Sequence, residues 1–301
     1  MRPGDGSTLR HPALYRYSIF VIVAVLLLIK VGAMVTSTNS GLAFLDWPTG
    51  NGSWWPKEMR EWSPGLFEHG HRTIGAVIGL LTLGQVVWTF RVERRTWMRW
   101  TAVGLLLLVV IQGLLGKETV EGRLPWWMSA AHGTLAQVFL CALTFFAFAL
   151  SPTWARRDPV PASEVGTARR LTGIALGSVF VQLALGAIVR HSNLSSVLWL
   201  HISMALLVSL LILVAALHSG ARFGHLPGFK ALARAQLWVL LAQLTLGVAT
   251  LLVRGGGKDT ASLDQIGRAL IVSGHVAVGA IMFLIAMLLF ARARRSLVAA
   301  R

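Results

Sequence analysis

The chain has 301 residues, of which 55% are apolar and only 13% charged, with a formal net charge of +16. A soluble core of this size would need more surface charge, so the composition excludes an ordinary soluble domain and reads as an all-α, polytopic membrane protein embedded in a lipid bilayer. The basic excess is sorted by loop in a way that nucleic-acid binding would not require, so nucleic acid is not expected as a partner.

A bilayer crossing needs roughly 20 apolar residues. Eight stretches qualify, near 16–35, 68–90, 100–116, 126–150, 171–189, 197–217, 234–253 and 268–291. The first is too long for the apolar core of a signal peptide and lacks a convincing cleavage site, so it is read as a helix. A long loop follows, and Ser63-Pro64 then reads as a cap and first-turn proline that open the second helix. Early in that helix come Glu68, His69, His71 and Arg72, and further on Gly75 and Gly79, a small-residue pair expected at a close helix contact. The fourth, sixth and eighth helices carry His132, His201 and His275 near the same end. Cys141, the single cysteine, lies within the fourth helix, so no intrachain disulfide is available. It is expected to pack as a small apolar residue.

Loop charges set the orientation. Arg2, Arg10 and Arg16 precede helix 1, and Arg91, Arg94, Arg95 and Arg99 join helices 2 and 3. Arg156, Arg157, Arg169 and Arg170 join helices 4 and 5; Arg222, Lys230 and Arg234 join 6 and 7; Arg292, Arg294, Arg295 and Arg301 close the chain. These 18 of the 28 cations lie on one side, which is cytoplasmic by the positive-inside rule. The opposite loops hold Asp46, Glu58, Glu61, Glu118, Glu121, Asp259 and Asp264. A multi-pass protein of the cell inner membrane with both termini cytoplasmic is therefore expected. Trp54-Trp55 and Trp126-Trp127 fall where an aromatic belt would lie.

The odd helices share a related outer end: Gln112-Gly113 with Gly116 and Lys117, Gln182 with Leu185-Gly186 and Arg190, and Gln243 with Leu246-Gly247 and Arg254. Helix 1 resembles them weakly through Lys30, Gly32 and Thr36. An internal repeat of helix pairs predicts two pseudo-symmetric four-helix bundles, residues 1–155 and 156–301, related by an axis along the membrane normal.

Ionisable residues inside a membrane span are costly and mark function, and imidazole is a frequent axial ligand of heme iron. Four histidines at one depth on alternate helices predict two metal-binding pairs, His71 with His132 and His201 with His275. Gly70, Gly133, Ser203 and Gly274 beside them leave room for a bulky ring. His11, His191, His218 and His225 fail the positional test. His69 is turned away from His71 and is read as interfacial. Glu68 shares a face with His71 as a catalytic candidate, but its spacing from Arg72 equally fits a helix-surface ion pair. Arg72, Lys117, Arg190 and Arg254 are candidate contacts for heme propionates.

The run Glu68-His69-Gly70-His71-Arg72 fits the Glu-x-x-His-Arg signature of the heme A synthase family. The stretch Gly32-Ala33-Met34-Val35-Thr36-Ser37-Thr38-Asn39-Ser40-Gly41-Leu42, continued by Asp46-Trp47-Pro48, resembles that family's first outer loop. The resemblance extends from helix 1 to His275. It implies an oxidoreductase that converts the C8 methyl group of heme O to a formyl group, giving heme A for terminal oxidases. It further implies substrate heme between His71 and His132, a resident heme b between His201 and His275, Glu68 assisting at the methyl group, and two successive hydroxylations with loss of water. Heme O synthase and a membrane electron acceptor would be its partners. One departure is plain: the loop cysteine pairs of some members are absent from Ser37 to Trp62 and from Arg190 to Ser196, which removes a thiol-disulfide role there. Two other readings retain the four histidines: a heme-handling or export protein, and a two-heme subunit that oxidises quinol without altering heme.

Overall fold

The computed structural model of the chain describes residues 11–60, 62–192, 194–255 and 265–300, without the side chain of Arg254. Arg2, Arg10, Glu61, Asp259, Asp264 and Arg301, which entered the topology argument, lie outside the described residues. Eight long helices run in order: α1 (Pro12–Ser37), α2 (Pro64–Val92), α3 (Thr96–Glu121), α4 (Trp126–Leu150), α5 (Ala162–Ser192), α6 (Ser195–Phe223), α7 (Phe229–Gly255) and α8 (Gln265–Arg295). All eight are long and apolar enough to cross a membrane. The protein is a multi-pass membrane protein. Several helices outrun their apolar stretch, α5 by nine residues at its start, because capping and polar turns continue the helix beyond the hydrocarbon.

Sequence capping explains the start of α2, where the Ser63 hydroxyl accepts from the Leu66 amide at 3.1 Å and Pro64 occupies the first turn. Short connections then force antiparallel neighbours. In the first half α1 packs on α2, α2 on α3, α3 on α4, and α4 back on α1; α5 to α8 close a second ring in the same order. The halves meet through α1 against α8, α4 against α5, and α4 against α8. Consequently α4 and α8 are the most enclosed spans and α7 the least. Burial follows position: Phe139, Leu140, Leu143 and Phe146 of α4 pack with Leu14, Val21 and Val25 of α1. Cys141 fills space between this helix and the second half, as a small apolar residue would.

Two features differ from a purely helical expectation. Asp158–Val160 (β1) and Leu297–Ala299 (β2) form a two-stranded parallel ribbon that ties the α4–α5 connection to the C-terminal segment. Three-residue strands carry too little alternation to be read from sequence. Arg169 at the start of α5 reinforces the ribbon through the Leu297 carbonyl at 2.9 Å, and Arg295 reaches the Trp154 carbonyl at 3.0 Å. Gly75 and Gly79 do not make the expected close contact: a Cβ at either would meet nothing within 4 Å. They lie on a part of α2 that no neighbouring helix approaches closely.

Candidate heme site: two opposed histidine pairs

Each even helix begins on the side opposite the β ribbon, so the histidines near their starts converge at one end of the molecule. The rings of His71 on α2 and His132 on α4 stand 6.4 Å apart between centres, with planes inclined at 77°. His201 on α6 and His275 on α8 repeat this at 6.5 Å and 83°. Metal–imidazole bonds are about 2.0–2.1 Å. Adding about 1.1 Å from nitrogen to ring centre, a metal gripped by two imidazoles sets the centres about 6.3 Å apart. Both pairs match that spacing.

Their burial argues the same way. Nδ1 of all four rings is enclosed with no hydrogen-bond partner among the described residues. A buried polar group left unpaired costs about 1–3 kcal/mol, so four such rings at two matched spacings point to a group that engages them. Each ring edge rests on a glycine of the preceding helix: His71 on Gly32, His132 on Gly116, His201 on Gly186 and His275 on Gly247. Only the absence of a Cβ admits the imidazoles, since one placed there would stand 2.7, 3.0, 3.1 and 3.2 Å from Cε1 respectively. The sequence displayed these glycines as a repeat without revealing what they touch. Gly70, Gly133 and Gly274 are open: a Cβ at Gly70 would meet nothing within 4 Å, and those at Gly133 and Gly274 only at 3.9 Å.

Glu68 and Arg72 are occupied on the loop side. Glu68 is 3% exposed, accepts the Phe44 amide on Oε2 at 3.0 Å, and pairs through Oε1 with Arg72. Arg72 also donates to the carbonyls of Asp46 at 2.6 Å, Thr49 at 2.8 Å and Phe44 at 3.0 Å. The pair is therefore a buried clasp on the α1–α2 loop, not the helix-surface contact that spacing alone allows. Within that loop the Asp46 carboxylate accepts from the Thr49 hydroxyl at 2.6 Å and from the amides of Gly52 at 2.9 Å and Asn51 at 2.8 Å. These bonds, that from Thr49 foremost, hold its carboxyl well below the usual carboxylate range.

His69 is not solvated as an interfacial residue would be. It is 2% exposed, bonds the Trp54 carbonyl through Nε2 at 2.9 Å, and meets Phe44 edge to face. Burial by the folded-back loop explains the difference, and helix geometry separates it from the His71 pair as the two-residue offset requires. His11 and His218 lie beside Glu93 and Glu164 at 3.9 and 3.7 Å, away from the pairs. Among the described residues no group of three or more metal-ligating side chains occurs. Arg190 joins the halves, donating to the Ala33 carbonyl and, at 2.7 Å, to the Ser37 hydroxyl of α1. Lys117 pairs with Glu121 at 3.3 Å and Glu118 at 3.9 Å. The side chain of Arg254 lies outside the described residues. Trp54, Trp55, Trp126 and Trp127 are all exposed.

Fold and site together define a class: a multi-pass membrane protein with eight long helices among the described residues and two opposed histidine pairs near one end of them. Comparison with known proteins narrows it. A family model described as cytochrome oxidase assembly protein matches residues 63–198, which include His71 and His132. The heme A synthase of Symbiobacterium thermophilum is 33% identical over 197 residues, 61% of this chain and 61% of that protein. That of Shouchella clausii is 25% identical over 272 residues, 80% of this chain and 88% of its own length. That of Geobacillus kaustophilus is 29% identical over 180 residues, covering 58% and 55%. The chain thus matches between about half and nine-tenths of the length of these relatives, and 61% of the first. By these matches the chain is similar to heme A synthases over much of its length, and to the cytochrome oxidase assembly family over residues 63–198.

Proposed function

We propose that this chain is an oxidoreductase of heme A biosynthesis that oxidises the C8 methyl group of heme O to a formyl group inside the membrane. The observation that carries this reading is the spacing of the histidine pairs, which fits a metal held by two imidazoles at two places. In residues 1–155 His71 and His132 take the substrate, heme O; in 156–301 His201 and His275 hold a resident heme b. When bound, heme b supplies one-electron transfer between the substrate half and an acceptor in the membrane.

The chain's own residues do the rest. Glycines on the odd helices let the imidazoles sink against the neighbouring backbone, which fixes their depth. Glu68, folded under the α1–α2 loop with Arg72, is the carboxylate nearest in sequence to His71 and serves the methyl oxidation by holding a proton near the reacting carbon. The loop shuts water from that end of α2, where Phe44 is 1% exposed. Lys117, Arg190 and Arg254, near outer helix ends, serve as contacts for propionates, whereas Arg72, a candidate by position, is spent on Glu68 and the α1–α2 loop. A substrate with a long isoprenoid tail enters and leaves through lipid, which favours a site between spans. Two hydroxylations at one carbon followed by loss of water give the aldehyde. The protein is placed in the cell inner membrane with both termini cytoplasmic, and heme O synthase is the expected supplier.

The test is pigment extraction from cells making heme O, with and without this chain. Appearance of a formyl heme is expected; heme O left unchanged overturns the assignment.

A further inference from the structure

His191, at the outer end of α5, belongs to neither histidine pair, yet it lies where the two halves meet. Ala187 stands one turn before it on the same face, and a Cβ at Gly133, the residue after His132, would meet the Ala187 methyl at 3.9 Å. The His191 imidazole is half-buried and within electrostatic reach of the His132 ring on α4. No hydrogen bond fixes that imidazole among the described residues. Its neighbour Arg190 turns to the other wall of the first half, donating to the Ala33 carbonyl and, at 2.7 Å, to the Ser37 hydroxyl of α1. Ala33 follows Gly32, on which the His71 ring rests. One turn of a second-half helix thus engages both α1 and α4 beside the first histidine pair.

We propose that His191 donates a hydrogen bond to a propionate of the heme held by His71 and His132, so that the second half completes the substrate site of the first. This rests on the heme-binding reading above and adds a binding residue to it. A ring gripped on both faces by imidazoles offers only its edges to other side chains. Its carboxylates belong at the edge nearest the membrane surface, because charge is costly in hydrocarbon. Helix α4 runs inward from Trp126 while α5 runs outward to Ser192, so with Ala187 level with Gly133 the His191 imidazole stands about one turn outward of His132. Arg190 holds this end of α5 against α1, which fixes where the imidazole stands. An imidazole N–H brings no second charge into the span, and the charge on the accepting carboxylate strengthens the bond. Hydrogen bonds to a charged group change an equilibrium by about 12- to 150-fold and neutral ones by about 2- to 12-fold, which separates the two cases by experiment.

The experiment uses the full chain in detergent with His201→Ala, which leaves the first pair to hold heme, and titrates it with protoheme and with protoheme dimethyl ester, whose propionates carry no charge. The same comparison is repeated with His201 restored and the second pair filled. His191→Ala is expected to weaken protoheme binding about 12- to 150-fold and ester binding no more than about 2- to 12-fold. His191→Gln, which keeps an N–H donor, should recover most of the protoheme affinity. With His201 restored, the second heme should stay bound in His191→Ala. No loss for protoheme, equal loss for protoheme and its ester, or loss of the second heme alone overturns the inference and leaves the functional reading intact. A chain that takes up heme in neither half overturns the functional reading and the inference together.

Discussion

Gly32→Ala tests the glycine cradle most severely. The added methyl carbon would stand 2.7 Å from Cε1 of His71, against an ordinary carbon–carbon contact of about 3.5–4.0 Å. Ring or helix must therefore shift by about 1 Å. Overpacking of this kind typically costs about 1–3 kcal/mol. If that cost falls wholly on the heme-bound state, affinity at the His71/His132 pair drops roughly 5- to 150-fold. Gly116→Ala, Gly186→Ala and Gly247→Ala start from 3.0, 3.1 and 3.2 Å and demand about half the shift, so their losses are smaller and decline in that order. Gly104→Ala is the control, because a Cβ there meets nothing within 4 Å. Protoheme titrated into each purified variant, followed by its absorption band and by heme-to-protein ratio, gives the affinities. Wild-type affinity in Gly32→Ala, or equal loss in Gly104→Ala, would refute the reasoning.

Three further outcomes follow from the site. Glu68→Gln keeps an acceptor for the Phe44 amide but removes the charge, so heme content should persist while formyl-heme production falls to background. Glu68→Ala strips the buried clasp from Arg72 and should also lower folding stability by about 3–5 kcal/mol, read from thermal melting. The lowered pKa of Asp46 means that its contribution to loop order is complete above the free carboxylate value near 4 and is lost only as pH falls through its lower folded value. Hydrogen exchange at the Asn51 and Gly52 amides should accordingly stay slow from pH 7 to 4, and Asp46→Asn should speed it throughout that range. Absorption spectra should show the resident heme lost in His201→Ala and retained in His71→Ala; equal loss in both contradicts the assignment of halves.

Much of this architecture was legible because each signal was local. Eight apolar runs, the Ser63-Pro64 cap and four histidines at matched depth are properties of single helices, and their pairing followed once consecutive helices were made antiparallel. What escaped depends on neighbours. Gly32, Gly116, Gly186 and Gly247 touch imidazoles borne by the next helix, a relation that spacing within one helix does not encode. Gly75 and Gly79 have small-residue spacing yet face no helix. His69 and Arg72 were displaced from their expected surroundings by one event, the folding of the α1–α2 loop over the start of α2, which buries the first and spends the second on three main-chain carbonyls. Arg190 crosses between halves 153 residues apart in sequence to reach Ser37, and no periodicity foretells such a bond.

Ferric electron paramagnetic resonance of the protoheme-loaded protein addresses the central claim directly. Imidazole planes inclined at 77° and 83° would place hemes held by these pairs among low-spin centres with strongly anisotropic g values, and two such signals are expected, one lost in each of His132→Ala and His275→Ala. A high-spin signal from both hemes, or one that survives both substitutions, would contradict axial binding by opposed histidines.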